Sequence, residues 1–194
     1  MTLDGRQLSP TLLGGGAFAH VFDMRDGTVV KAYYRQRHAS RPITDWTDHD
    51  RITRLLWRTE AEAYERLQSL EDLRPFVPKF YGRVDPHALG LPQNLARGPH
   101  LPGCGLRLEK ITGEDRKIAH LERQLQRKAE AVLEKIRDSC GRLNVWDASC
   151  FCPGSCADFT LIDFSVSDDF GDVCDILERR GALPQQTVRL LHLD

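Results

Sequence analysis

Leu13-Gly14-Gly15-Gly16-Ala17-Phe18-Ala19-His20-Val21, and the run Thr28-Val29-Val30-Lys31-Ala32-Tyr33-Tyr34 that follows it, decide the architecture of the first third of the chain. Thr11-Leu12-Leu13 leads into the glycine cluster, and His20 to Met24 alternates as a strand does. Asp26-Gly27 supplies a tight hairpin turn, and the β-branched and aromatic run behind it reads as the next strand. Together these pieces predict a three-stranded antiparallel meander. A glycine turn between two strands can lie close over a phosphate chain, because no side chains keep the backbone N–H groups from the oxygens. Taken alone, the cluster is a hairpin turn and Lys31 an edge lysine.

Beyond the meander, the polar stretch with Arg35, Arg37, His38, Arg41 and Pro42 reads as an exposed loop. From about Asp48 to Leu70 the apolar period becomes helical: Ile52, Leu55, Leu56, Ala63, Tyr64, Leu67 and Leu70 form one stripe. Pro75 and Pro78 end it. Phe80 to Val84 reads as a strand, Asp85 to Gly105 as a loop rich in Pro, Gly and His, and Leu106 to Ile111 as a strand. A second helix is expected from about Asp115 to Ser139, with Ile118, Leu121, Leu125, Ala129, Val132 and Ile136 on one side and Gly141 at its end. A cysteine-rich loop, the strand Phe159 to Ile162 and a short helix near Asp172 to Arg180 complete the order.

The 194 residues suit one domain or two small lobes. At 41% hydrophobic and 28% charged, the chain is not disordered by composition. Its 27 basic and 28 acidic side chains leave a formal charge of -1, which argues against a nucleic-acid partner. No apolar run approaches the ~20 residues that cross a bilayer. No basic start followed by an apolar stretch is visible at Met1, so a cytoplasmic, reducing compartment is expected. Cys140, Cys150, Cys152 and Cys156 cluster in sequence without the paired Cys-x2-Cys spacing of structural zinc. They read as free thiols, with a thiolate metal site or a disulfide as alternatives.

Three residue types carry chemistry. Lys31 lies ten residues after Val21, on the strand beneath the glycine turn, within reach of phosphates. Glu60 and Glu62 lie on the helix that follows, and a glutamate on its sheet-facing side can hold Lys31 as an ion pair. Asp147 follows an apolar pair, and Asp163 closes the strand Thr160-Leu161-Ile162. A carboxylate at the end of an apolar strand points out at the rim, where Mg2+ takes such oxygens together with phosphate oxygens.

In this order the residues resemble the protein-kinase-like superfamily, including its aminoglycoside and choline phosphotransferase branch. The glycine segment is similar to Gly-x-Gly-x-x-Gly-x-Val, with Ala19 in place of the third glycine. Val29-Val30-Lys31 is similar to Val-Ala-Ile-Lys, and Ile162-Asp163-Phe164-Ser165 to Asp-Phe-Gly with Ser165 as the last residue. The likeness spans about residues 8 to 168. It implies an α+β, two-lobed protein-kinase-like fold: residues 1-111 as a sheet lobe with one long helix, and 112-194 as a much reduced helical lobe. It implies ATP and Mg2+ as cofactors. Gly14, Gly16, Ala19 and Val21 would cover the nucleotide, and Lys31 would hold its phosphates with Glu60 orienting the ammonium. Leu108 would be the gatekeeper, Glu109 and Ile111 would present backbone groups to adenine, and Asp163 would bind the metal. Asp147, sixteen residues before Asp163, would act on the acceptor hydroxyl of a protein or small molecule.

Departures from the family pattern are specific. Val145 stands where the family has His or Tyr, Ser149 where it often has Lys, and Cys152 where a metal-binding Asn belongs. A thiol is a poor Mg2+ ligand. Either Asp163 and waters hold the metal, or the chain is a pseudokinase, a nucleotide-binding or interaction module without efficient transfer. Only about 30 residues follow Asp163, too few for an activation segment and a helical docking lobe. The chain thus resembles a minimal, atypical kinase.

Overall fold

The computed structural model describes residues 9–16, 18–35, 46–93, 95, 98–140, 149–152 and 159–164. These residues build an α+β arrangement of two antiparallel sheets and two long helices. The meander forms as expected: β1 (Thr11–Gly15), β2 (Ala19–Asp23) and β3 (Thr28–Tyr34) pair in sequence order. α1 (Trp46–Gln68) follows, then β4 (Phe80–Val84) and β5 (His100–Glu109). β5 inserts between β3 and β4, giving the order β1-β2-β3-β5-β4. A three-stranded sheet is made by β6 (Glu114–Lys117), which precedes α2 (Arg123–Cys140), and by β7 (Ser149–Cys152) and β8 (Thr160–Ile162), which follow it.

Three expectations are corrected. His100 to Gly105 is the first half of β5 rather than loop, because its backbone groups join ladders with β3 and β4 whatever its composition. Gly105 is required there: a Cβ would stand 2.9 Å from the Val84 carbonyl oxygen. The second helix begins at Arg123, not Asp115, since Glu114 to Lys117 pair with β7 as a strand. Part of the cysteine-rich loop is that strand, and Cys150 and Cys152 turn inward at period two. The helix expected near Asp172 lies outside the described residues.

α1 covers one sheet face with Ile52, Leu56, Ala63, Tyr64 and Leu67, which join one cluster with Leu106 and Leu108 of β5 and with Leu125, Val132 and Ile136 of α2. Each of these large side chains contributes about 1.5–3 kcal/mol by leaving water. The rotation of α1 is fixed by polar contacts: Trp57 Nε1 donates to the Gly105 carbonyl at 3.3 Å, and Arg83 grips Glu65 through two bonds of 2.9 and 3.0 Å. That rotation aims Glu60 at the sheet.

The opposite sheet face is covered by the segment after β4, with Leu91 packed against Phe22, Val30 and Ala32. Beneath it, His20 and His100, 4% and 2% exposed, share a hydrogen bond of 3.1 Å between Nδ1 and Nε2. His87 Nε2 bonds the His100 carbonyl oxygen and Gln93 donates to His100 Nδ1 at 3.4 Å. Burial, with His20 and His87 nearby, lowers His100 from 6.5 to about 4. The unfolded chain therefore takes up this proton first. Stability is expected to fall by about 2–3 kcal/mol as pH drops from 6.5 towards 4, less than the full value of such a shift. Urea melts at stepped pH check this, and His100→Phe is expected to flatten the slope.

Candidate functional site

β3 alternates, so Val29, Lys31 and Tyr33 face α1 while Val30 and Ala32 face away. Lys31 stands opposite Val21 of β2 and Leu106 of β5. Val29 stands opposite Leu108, which is buried in the α1-side cluster. Lys31 Nζ donates to both oxygens of Glu60 at 2.9 and 2.8 Å, and to Asp163 Oδ1 at 2.5 Å. Strand, helix and the residue after β8 thus meet on one ammonium, across sequence separations of 29 and 132 residues.

Burial alone would lower the Lys31 ammonium, but the charges of Asp163 and Glu60 outweigh it and hold it above the ordinary lysine range. Glu60 is fully buried, and that burial pushes its carboxyl up despite the opposing pull of Lys31. Asp163 is different: its side chain is 39% exposed against 14% for Lys31, so the cluster opens to solvent on the aspartate side. Its backbone φ is +68°, the left-handed region that aspartate tolerates and most residues avoid. Phe164 behind it is buried, edge-on to Tyr64 at 5.3 Å. One ammonium and two carboxylates leave the cluster one negative charge in excess, and oxygen is the donor type that Mg2+ takes. Asp163 is the residue that would hold such an ion; Glu60 is committed to Lys31.

Glu62, the other helix candidate, lies outside the cluster and faces solvent with Arg58 at 4.0 Å. The glycine segment forms a tight hairpin: Gly14 and Gly15 pair with Val21 and His20, and the Gly16 amide donates to the Ala19 carbonyl at 2.9 Å. Tyr34 pins it, with its hydroxyl donating to the Gly16 carbonyl at 2.7 Å and its amide to that of Phe18 at 3.0 Å. A Cβ on Gly14 or Gly16 would meet nothing within 4 Å, whereas one on Gly15 would stand 2.8 Å from His20 Cδ2. Gly15→Ala is therefore expected to cost about 1–3 kcal/mol through overpacking, and Gly14→Ala to stay within about 0.5 kcal/mol of the parent in thermal melts.

At the end of β5, the Glu109 amide donates to the Lys79 carbonyl at 2.8 Å and its carboxylate accepts from the Lys79 amide at 3.1 Å. The Ile111 amide, one residue past Lys110, has no partner among the described residues. Cys152 is not brought to Asp163. Ser149 is the β7 residue opposite Ile162, and Cys152 lies three residues along the strand, roughly 10 Å away, paired with Glu114 and buried. Asp147 and Ala17 lie outside the described residues.

Cys104, Cys140, Cys150 and Cys152 are unbridged, and no group of three or more His, Cys, Asp or Glu among the described residues could hold a metal. Burial raises the thiols of Cys104 and Cys140, which keeps them protonated and poor ligands. Among the described residues no helix is long and apolar enough to cross a membrane.

Tyr33 is the member of the cluster that the sequence did not single out. Its hydroxyl donates to Glu60 Oε2, and its ring centroid lies 5.7 Å from Lys31 Nζ. The signal was the period of two: a residue two beyond Lys31 in a strand shares its face. Compared with known proteins, the chain matches no family model and no curated sequence.

Proposed function

We propose that the chain is an ATP-dependent phosphotransferase on a reduced two-lobed protein-kinase-like scaffold, moving the γ-phosphate to a protein or small-molecule hydroxyl. The observation that carries this is Lys31 bonded at once to Glu60 and Asp163. In protein kinases the lysine of the third strand pairs with a helix glutamate, and the aspartate of Asp-Phe-Gly holds the metal. A structural ion pair needs Lys31 and Glu60 alone. The second carboxylate, partly in water and held in a left-handed backbone, adds a like charge beside a buried one, and an incoming cation relieves it.

In this role Lys31 holds the α- and β-phosphates and Glu60 keeps the ammonium turned towards them. The glycine hairpin lies over the phosphate chain, and the buried side chains of Leu106 and Leu108 exclude water beneath the base. The Ile111 amide and the carbonyl of Glu109 are the backbone groups offered to adenine. Mg2+ held by Asp163 would neutralise charge on the phosphate oxygens. By its place in the sequence Asp147 orients the acceptor hydroxyl.

A thermal-shift titration with ATP and Mg2+, followed by transfer of labelled γ-phosphate, tests this. Ligand at a hundred times its Kd adds about 2.7 kcal/mol of stability. No shift at millimolar ATP and Mg2+ overturns the proposal. A shift without label transfer identifies a nucleotide-binding pseudokinase, the reading that the distance of Cys152 from Asp163 favours.

A further inference from the structure

We propose that Tyr33 is a positioning residue of this site: its hydroxyl holds the Glu60 carboxylate facing Lys31 while the ammonium is shared with a phosphate. Its consequence for turnover rests on the phosphotransferase reading; the contact itself rests on geometry alone. Glu60 is fully buried, so its oxygens depend on protein donors. Lys31 supplies bonds to both, and Tyr33 supplies a further one, to Oε2. Lys31 has three N–H groups, and here they point to Glu60 Oε1, Glu60 Oε2 and Asp163 Oδ1. An ammonium that turns to phosphate oxygens gives up at least one of these. Tyr33 carries no charge, cannot follow the phosphate, and stays on Oε2.

The groups facing Glu60 are Lys31 and Tyr33 from β3, Tyr64 one turn later on α1, and Asp163 after β8. Tyr64 does not hold the carboxylate, since its buried hydroxyl makes no hydrogen bond of ordinary geometry among the described residues. Tyr33 is itself buried, and burial together with the Glu60 charge holds its phenol well above the usual tyrosine range. It therefore stays protonated, and a donor, wherever an ordinary tyrosine does.

Two measurements on the full chain test the proposal. By proton NMR, a slowly exchanging phenolic proton displaced far downfield is expected, absent in Tyr33→Phe and moved upfield in Glu60→Gln. The second comparison does not require Tyr33→Phe to fold. In turnover, Tyr33→Phe is expected to lower kcat/KM for ATP about tenfold or more, the scale of a hydrogen bond to a charged group. In a Glu60→Gln background, where the amide oxygen is only a neutral acceptor, the same change is expected to cost clearly less, which a mere packing role would not produce. Equal losses in both backgrounds, or an unshifted phenolic proton in the wild type, overturn it. A downfield proton in a chain that neither binds nor turns over ATP overturns the phosphotransferase reading while the Tyr33–Glu60 contact stands.

Discussion

Asp163→Ala is expected to abolish phosphoryl transfer, with a loss on the order of 10³-fold or more in kcat, the scale at which single charge-handling groups act in this chemistry. Alanine also suffers backbone strain at a φ of +68°, so Asp163→Asn is the cleaner variant. Asparagine keeps the volume and tolerates the left-handed conformation but cannot neutralise a cation. Folding is expected to be little affected, because Lys31 retains both bonds to Glu60. Label transfer and a thermal melt on the same preparation separate the two effects. Unchanged transfer in either variant removes Asp163 from the mechanism.

Lys31→Ala is expected to lose nucleotide binding and about 3–5 kcal/mol of stability, because it strands the Glu60 carboxylate in the core. The sign of the pH dependence follows from burial. Glu60 already stands above the carboxyl value of 4.5, and loss of the ammonium raises it further. The unfolded chain then releases that proton at a lower pH than the folded one, so the deficit grows as pH rises above about 4.5. Melts at acidic and mildly alkaline pH should diverge accordingly. The double change Lys31→Met and Glu60→Leu removes both charges and is expected to recover most of the stability while leaving transfer absent. A Lys31→Ala protein as stable as its parent at alkaline pH contradicts this account.

The elements legible in the sequence are those whose side chains obey one period. The meander alternates, α1 and α2 carry apolar stripes, and these produce the faces observed. Lys31 and Glu60 are legible for the same reason, since each sits on the inward face of its element. Asp163 is legible because a charged residue closes an apolar strand. What the sequence hides depends on pairing across distance. His100 to Gly105 looks like loop because of Pro102, Gly103 and Gly105, yet the ladder with Tyr34 and Val84 needs only backbone. Glu114 to Lys117 looks like the first turn of a helix until β7 stands beside it. Counting from Asp147 matches Cys152 to a metal ligand, whereas the β7 register carries it away from Asp163. Tyr33 reads as one aromatic among strand residues, although its spacing from Lys31 already places the hydroxyl on the working face.

The left-handed turn at Asp163 narrows what mutation can do there. Glycine and asparagine meet the torsional demand but forfeit the negative charge. Glutamate keeps the charge, yet lacks the short polar side chain that eases this conformation. In the proposed cation-holding role, two unrelated requirements intersect in a single amino acid, and a screen of all twenty residues at this position for phosphoryl transfer should return aspartate alone.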